Sequence, residues 1–187
     1  MFNIYYNNYE IKHDKNYLAF FFGNFSPPHK GHVHLINPYF NLKNVKILIY
    51  IYGDEKRHNI PKHVSLEIWK IYLKNVKNVE IKFFNQKYDD IFKYKNIDIF
   101  LNIRDNEYGI NTKEYIKNLY GELIKKIRKK GMLTHFLFIN RLPYISSTNL
   151  CNDLENLDFY LYENITLEEK KHIKNKLCSI LKKKNTD

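Results

Sequence analysis

Two cysteines, Cys151 and Cys178, are all that the 187 residues contain, too few for a disulfide framework, and no C-x-x-C or Cys/His cluster offers a zinc set. A reducing compartment is implied. No apolar run reaches the length of a membrane span, and the opening stretch MFNIYYNNYEIKHDK lacks a basic segment leading into an apolar core; the expectation is a cytoplasmic protein with no membrane partner. Acidic residues are scarce beside basic ones, 20 against 31, which leaves a net charge of +11. That excess favours anionic partners, from nucleic acid to phosphorylated small molecules. Much of it sits in runs such as Lys125–Lys130 and Lys182–Lys184, which read as solvated helix faces, so nucleic acid is the lesser reading. Alanine occurs once, Ala19, in a chain rich in Asn, Lys, Ile and Tyr, a bias of AT-rich genomes that takes weight from any argument based on tyrosine abundance. Neither repeats nor a linker-like composition break divides the chain. At 44% hydrophobic content it is long enough for one domain and short for two.

What is present centres on Leu18 to Ile36, LAFFFGNFSPPHKGHVHLI. Leu18–Phe22 has the length and apolar content of a strand buried on both faces of a parallel sheet. Gly23 ends it, and Pro27 and Pro28 stiffen the turn that follows. The period then changes to that of a short helix through Val33 and Ile36, whose start carries His29, Lys30, Gly31 and His32. A strand, a glycine turn and a helix N-terminus form a natural seat for phosphate, because the first amides are unpaired and carry partial positive charge. The imidazoles add donors, and Gly31 lets a ligand approach the backbone.

The remaining pattern alternates. Strands are predicted at Val45–Tyr52, Val79–Phe84, Ile97–Ile103 and Thr134–Ile139, and helices at Leu66–Asn75 with Ser65 as cap, at Tyr88–Tyr94 and at Lys113–Lys130 ended by Gly131. The tyrosine-rich stretch Ile4–Ile11 suits an edge strand or an ordered arm, and Leu157–Tyr162 a last short strand or an irregular segment. Thr166 caps a final helix over Leu167–Lys183. Trp69 is expected in the core. This is an α/β fold: a single doubly wound, mainly parallel five-stranded sheet with helices on both faces. The expected organisation is one domain with a core over 18–154, an N-terminal arm over 1–17 and a helical extension over 155–187. In such sheets ligands bind beyond the carboxyl ends of the strands where the order reverses.

GNFSPPHKGH resembles the G-x-F-x-P-x-H-x-G-H signature of the HIGH-type nucleotidylyltransferase superfamily, with Gly23, Phe25, Pro27, His29, Gly31 and His32 matching. That superfamily includes the nicotinamide and nicotinate mononucleotide adenylyltransferases, phosphopantetheine adenylyltransferase and CTP-using cytidylyltransferases. Ile145, Ser146, Ser147 and Thr148 match its second signature, I-S-S-T-x-x-R. The departure is Cys151, where the family carries Arg, or Lys in the phosphopantetheine branch.

The resemblance implies a Rossmann-like nucleotidyltransferase fold and in-line transfer of a nucleotidyl group to a phosphorylated small-molecule acceptor, with pyrophosphate released. His29, His32 and Lys30 would be catalytic. Gly23, Asn24, Phe25, Gly31, Ser146, Ser147 and Thr148 would bind the nucleotide. Arg57, Lys62, Arg104 and Arg141 are candidates for substrate binding. Mg²⁺ would ride on the nucleotide phosphates, since no residues form a metal-ligand set. Pro27-Pro28 with ISST leans towards adenylyltransferases of NAD biosynthesis, whereas Ser65–Glu67 and RDNEY at 104–108 lean towards phosphopantetheine. ATP is favoured over CTP because the second signature is not the R-T-x-G-I-S-T-T of cytidylyltransferases. Two alternatives stand: a CTP-dependent cytidylyltransferase, or a degenerate member that binds a nucleotide or RNA without catalysis. A homo-oligomer is left open.

Overall fold

The computed structural model describes residues 3–6, 10–52, 58–84, 88–104, 112–139 and 142–183. Val45–Ile51 is the strand (β3) at the middle of one half of the sheet, and its sequence VKILIYI is buried at every position except Lys46. Such unbroken apolar runs have no polar face to turn to water, so they require cover on both sides. The other strands are β1 (Asn3–Tyr6), β2 (Asn16–Gly23), β4 (Val79–Phe83), β5 (Ile97–Arg104) and β6 (Thr134–Ile139). They form one parallel sheet in the order β1-β6-β5-β2-β3-β4.

The helices are α1 (Lys30–Ile36), α2 (Lys62–Tyr72), α3 (Thr112–Lys129), α4 (Ser147–Asn152), α5 (Leu157–Tyr160) and α6 (Leu167–Lys183). Alternation along β2 divides them between two layers. Tyr17, Ala19 and Phe21 pack with Val33 and Ile36 of α1, Ile68 and Trp69 of α2, Leu150 of α4, Leu157 of α5 and Ile173 and Leu177 of α6. Leu18 and Phe20 pack on the opposite face with Ile116, Leu123 and Ile127 of α3. The doubly wound α/β architecture is therefore observed. Trp69, 1% exposed, lies in the core as expected.

From β2 the chain moves outward through β3 to β4, then crosses back to β5 on the other side of β2. The order reverses beside β2, so the crevice for a ligand opens where β2 ends at Gly23.

The tyrosine-rich stretch expected as an edge strand or arm supplies an edge strand, so the sheet has six strands and not the expected five: β1 pairs with β6, Tyr6 opposite Phe138. Three other elements differ from expectation. Helix α2 begins at Lys62, about a turn before Leu66, with Pro61 at its N-cap in an extended conformation. Ser65 is 1% exposed within the helix, not at its cap. Val64, Ile68 and Tyr72 make one buried stripe, and that periodicity outweighs the capping preference of one serine. Tyr88–Tyr94 holds only a 3-10 turn at Ile91–Lys93, pinned where the Tyr50 hydroxyl and the Lys82 and Lys93 ammonium groups all meet the Asp90 carboxylate. Finally, 157–162 contains the short helix α5, because Asp153 draws the chain back on itself: its carboxylate accepts from the Asn156 amide at 3.3 Å and from the Tyr160 hydroxyl at 3.1 Å.

Helix α6 starts as predicted. Thr166 Oγ1 accepts from the Glu169 amide at 3.2 Å, and the Glu169 carboxylate accepts from the Thr166 amide at 2.8 Å, a reciprocal cap. Glu67 of α2 meets both His172 and Lys176 of α6, and Lys74 pairs with Glu169 at 2.7 Å. These contacts hold α6 across α2. Among the described residues no helix is long and apolar enough to cross a membrane.

Candidate active site

The turn after β2 is shaped by Phe25. Its φ is +46°, which folds the ring back over Gly23, where a Cβ would lie 2.8 Å from the Phe25 Cζ. Only glycine fits beneath that ring. The Phe25 ring meets His32 edge-on, with centroids 4.9 Å apart, and Trp69 edge-on at 5.3 Å. A buried aromatic floor thus supports the second histidine of the signature.

His29 is the N-cap of α1, in an extended conformation, and only 4% exposed. Its ring stacks on that of His32, with centroids 3.7 Å apart and planes 22° from parallel. The His29 amide donates to His32 Nδ1 at 3.3 Å. A ring nitrogen that accepts from an amide carries no proton, so neutral His32 presents an N–H at Nε2. The sequence places a donor on the face of the helix start, and the amide bond fixes which ring atom it is.

The two signatures, more than a hundred residues apart, meet here. Ser147 Oγ donates to the carbonyl of Pro27 at 3.0 Å. A Cβ on Gly31 would lie 3.0 Å from Ile145 Cγ2 and 3.0 Å from His29 Nδ1, so the glycine lets the ISST turn close against α1. On the other side the Tyr72 hydroxyl, kept protonated by burial that pushes its pKa up, reaches the carbonyl of Pro28 at 3.5 Å. Ser146 caps α4, its Oγ accepting from the Asn149 amide at 3.0 Å, and Thr148 is exposed beside it. The starts of two helices and two imidazoles therefore converge on one seat, which suits an anion with several oxygens.

The remaining sequence candidates divide by position. Lys30 lies at the first turn of α1 with its Nζ 4.0 Å from the centre of the Phe159 ring, on the flank of α1 that borders a cavity of about 350 Å³ with His34, Leu142 and Glu163. Lys62 opens α2. Asn24 is half-buried in the turn. Arg104 ends β5, while Arg57, Arg141 and the side chain of Arg104 lie outside the described residues. Cys151 is half-buried in α4 and packs against the core. Tyr72 and Phe159 have no local signal in the sequence, since each acts through a partner remote along the chain.

A doubly wound parallel sheet thus carries a glycine turn, paired imidazoles and a serine-capped helix at its switch point. A family model described as cytidylyltransferase-like matches residues 20–152, and the chain belongs to that family of nucleotidyltransferases. No curated protein matches it by sequence. Among solved structures it is similar to a protein of Vibrio parahaemolyticus described as a nicotinate-nucleotide adenylyltransferase, at 15% identity and a TM-score of 0.54, covering 88% of this chain and 92% of that one. It is also similar to the Plasmodium falciparum nicotinic acid mononucleotide adenylyltransferase. In the complex with NaAD the identity is 16% and the TM-score 0.51, over 79% of this chain and 91% of that one. In the complex with APC the values are 16% and 0.54, over 88% and 98%. At these identities the likeness shows the fold.

Proposed function

We propose that the protein is an adenylyltransferase that joins the AMP of ATP to a phosphorylated small-molecule acceptor, a mononucleotide of the NAD pathway ahead of phosphopantetheine. The observation that carries this reading is the clasp of Ser147 on Pro27 and Ile145 on Gly31, which sets the stacked imidazoles against the start of α4. The likeness to nicotinate mononucleotide adenylyltransferases supports ATP and a nicotinate mononucleotide as the pair to test first.

An acceptor phosphate oxygen forms a bond to the α-phosphorus while the bond from that phosphorus to the α,β-bridging oxygen breaks, and pyrophosphate leaves with the electron pair. No covalent enzyme intermediate is needed; the protein positions the reactants and stabilises charge. His32, donating from Nε2, and His29 face the oxygens on which charge builds. Ser146, Ser147, Thr148 and the first amides of α4 receive the departing pyrophosphate. Ser147 already spends its hydroxyl proton on Pro27, which leaves its amide as the contact to phosphate. Lys30 contributes only after leaving the Phe159 ring. Arg57, Lys62, Arg104 and Arg141 are proposed for the acceptor and triphosphate.

Mg²⁺ would be carried by the nucleotide phosphates and not by a protein cage. Such an ion would neutralise phosphate charge. Cys151 favours one rival reading: without the family's guanidinium, the chain would bind a nucleotide and not turn it over. Pyrophosphate release with ATP or CTP and a panel of acceptors separates these. His32→Ala should lower turnover about a hundredfold with little change in nucleotide affinity, since the contact strengthens in the transition state. Equal losses in binding and rate would overturn the assignment.

A further inference from the structure

Tyr144 is the most exposed of the large hydrophobic side chains described, at 82%, and its φ is +61°. A ring left in water gains no packing, and a left-handed backbone at a residue with a Cβ is a strain that persists only where neighbours impose it. Here they do. Asn149 Nδ2 donates to the Tyr144 carbonyl at 2.9 Å, and the Ile145 amide donates to the Leu142 carbonyl at 3.4 Å. Ile145, the next residue, is 2% exposed and touches Gly31 between the two imidazoles. The chain thus anchors residue 145 against α1 and leaves the ring of residue 144, one position before it, in water.

We infer that Tyr144 is the residue on which the base of the bound nucleotide stacks, an assignment that rests on the nucleotide reading above. An exposed aromatic ring binds any planar base through its π-face without reading hydrogen bonds, and a purine offers the larger face. Tyr144 would therefore discriminate between nucleotides by ring size. It would also supply binding energy at a site whose family position for Arg holds Cys151. The residue is a binding group for the base and takes no part in the chemical step.

The test is equilibrium titration of the full chain and of Tyr144→Ala, Tyr144→Phe and Tyr144→Gly with ATP, CTP and inorganic tripolyphosphate. Tyr144→Ala should weaken ATP about tenfold, within the range of one base–aromatic stack, weaken CTP less, and leave tripolyphosphate unchanged. Tyr144→Phe should bind all three as the wild type does. Tyr144→Gly, which accepts the positive φ, should unfold at the same temperature as the wild type or higher while still losing ATP affinity. The assignment alone is overturned when ATP binds the wild type and Tyr144→Ala changes its affinity less than twofold, or weakens tripolyphosphate equally. When the wild type binds none of the three, the nucleotide reading fails and takes this assignment with it.

Discussion

Gly31→Ala is the substitution that most directly strains the clasp. A Cβ there would meet Ile145 Cγ2 and His29 Nδ1, each at 3.0 Å, and His29 Cε1 at 3.1 Å. Side-chain carbons rarely approach that closely, so the ring and the isoleucine must part by a few tenths of an ångström. Both are buried, at 4% and 2% exposure, and have little room to move. Alanine gains at most roughly 0.5–1 kcal/mol over glycine within a helix, while overpacking a tight site costs about 1–3 kcal/mol. The net expectation is a loss of up to about 2 kcal/mol. Gly121 is the internal control: it lies in α3 with nothing within 4 Å of its notional Cβ, so Gly121→Ala should gain about 0.5–1 kcal/mol. In a chain of this size, roughly 1 kcal/mol moves Tm by about 2–4 °C, so the two variants should shift in opposite directions in thermal unfolding. Turnover of Gly31→Ala should also fall at least about tenfold, because displacing a group from its reactive geometry costs rate steeply. A Gly31→Ala protein as stable as Gly121→Ala and as active as the wild type would refute the close packing on which the site description depends.

The buried His135 of β6 should make stability depend on pH. Its ring lies 5.5 Å from that of Phe100, and burial holds its pKa below the ordinary value of 6.5, with Lys15 adding to that and Asp98 opposing it. Below 6.5 the unfolded chain binds a proton that the folded chain refuses, so stability is present above that pH and declines as the pH drops further. Denaturant titrations across that window should show the slope, His135→Leu should flatten it, and an unchanged slope would exclude His135 as its source. Cys151→Arg restores a group able to make forked contacts with phosphate and should tighten ATP binding by about tenfold or more, measured by titration, without changing the acceptor's Michaelis constant. Should the same change create activity in a chain that had none, the native protein is a binder and not an enzyme.

The expected strands at 18–22, 45–52, 79–84, 97–103 and 134–139 lie within one or two residues of the observed ones, α3 lies within one residue of its expected bounds and α6 matches its own. These elements are legible because burial on both sheet faces, or on one helix face, writes itself into consecutive residues. The start of α2 was misplaced because Ser65 looks like a cap in isolation, and only the packing of Val64 against the core shows otherwise. Lys30, expected among the catalytic residues, has its ammonium over the Phe159 ring, a partner that no local pattern announces.

The sequence by itself determined the parallel α/β class, because unbroken apolar strands alternating with amphipathic helices have few other ways to bury themselves, and its two signatures marked out the candidate site. Only the tertiary structure decided how those residues act together. The stacking of His29 on His32, the hydrogen bond from Ser147 to Pro27 and the fit of Ile145 against Gly31 join segments that share no periodicity and lie far apart in the chain. Such contacts are selected by shape and by the need of each buried polar group for a partner, and these conditions come into being only once the sheet has brought the segments together.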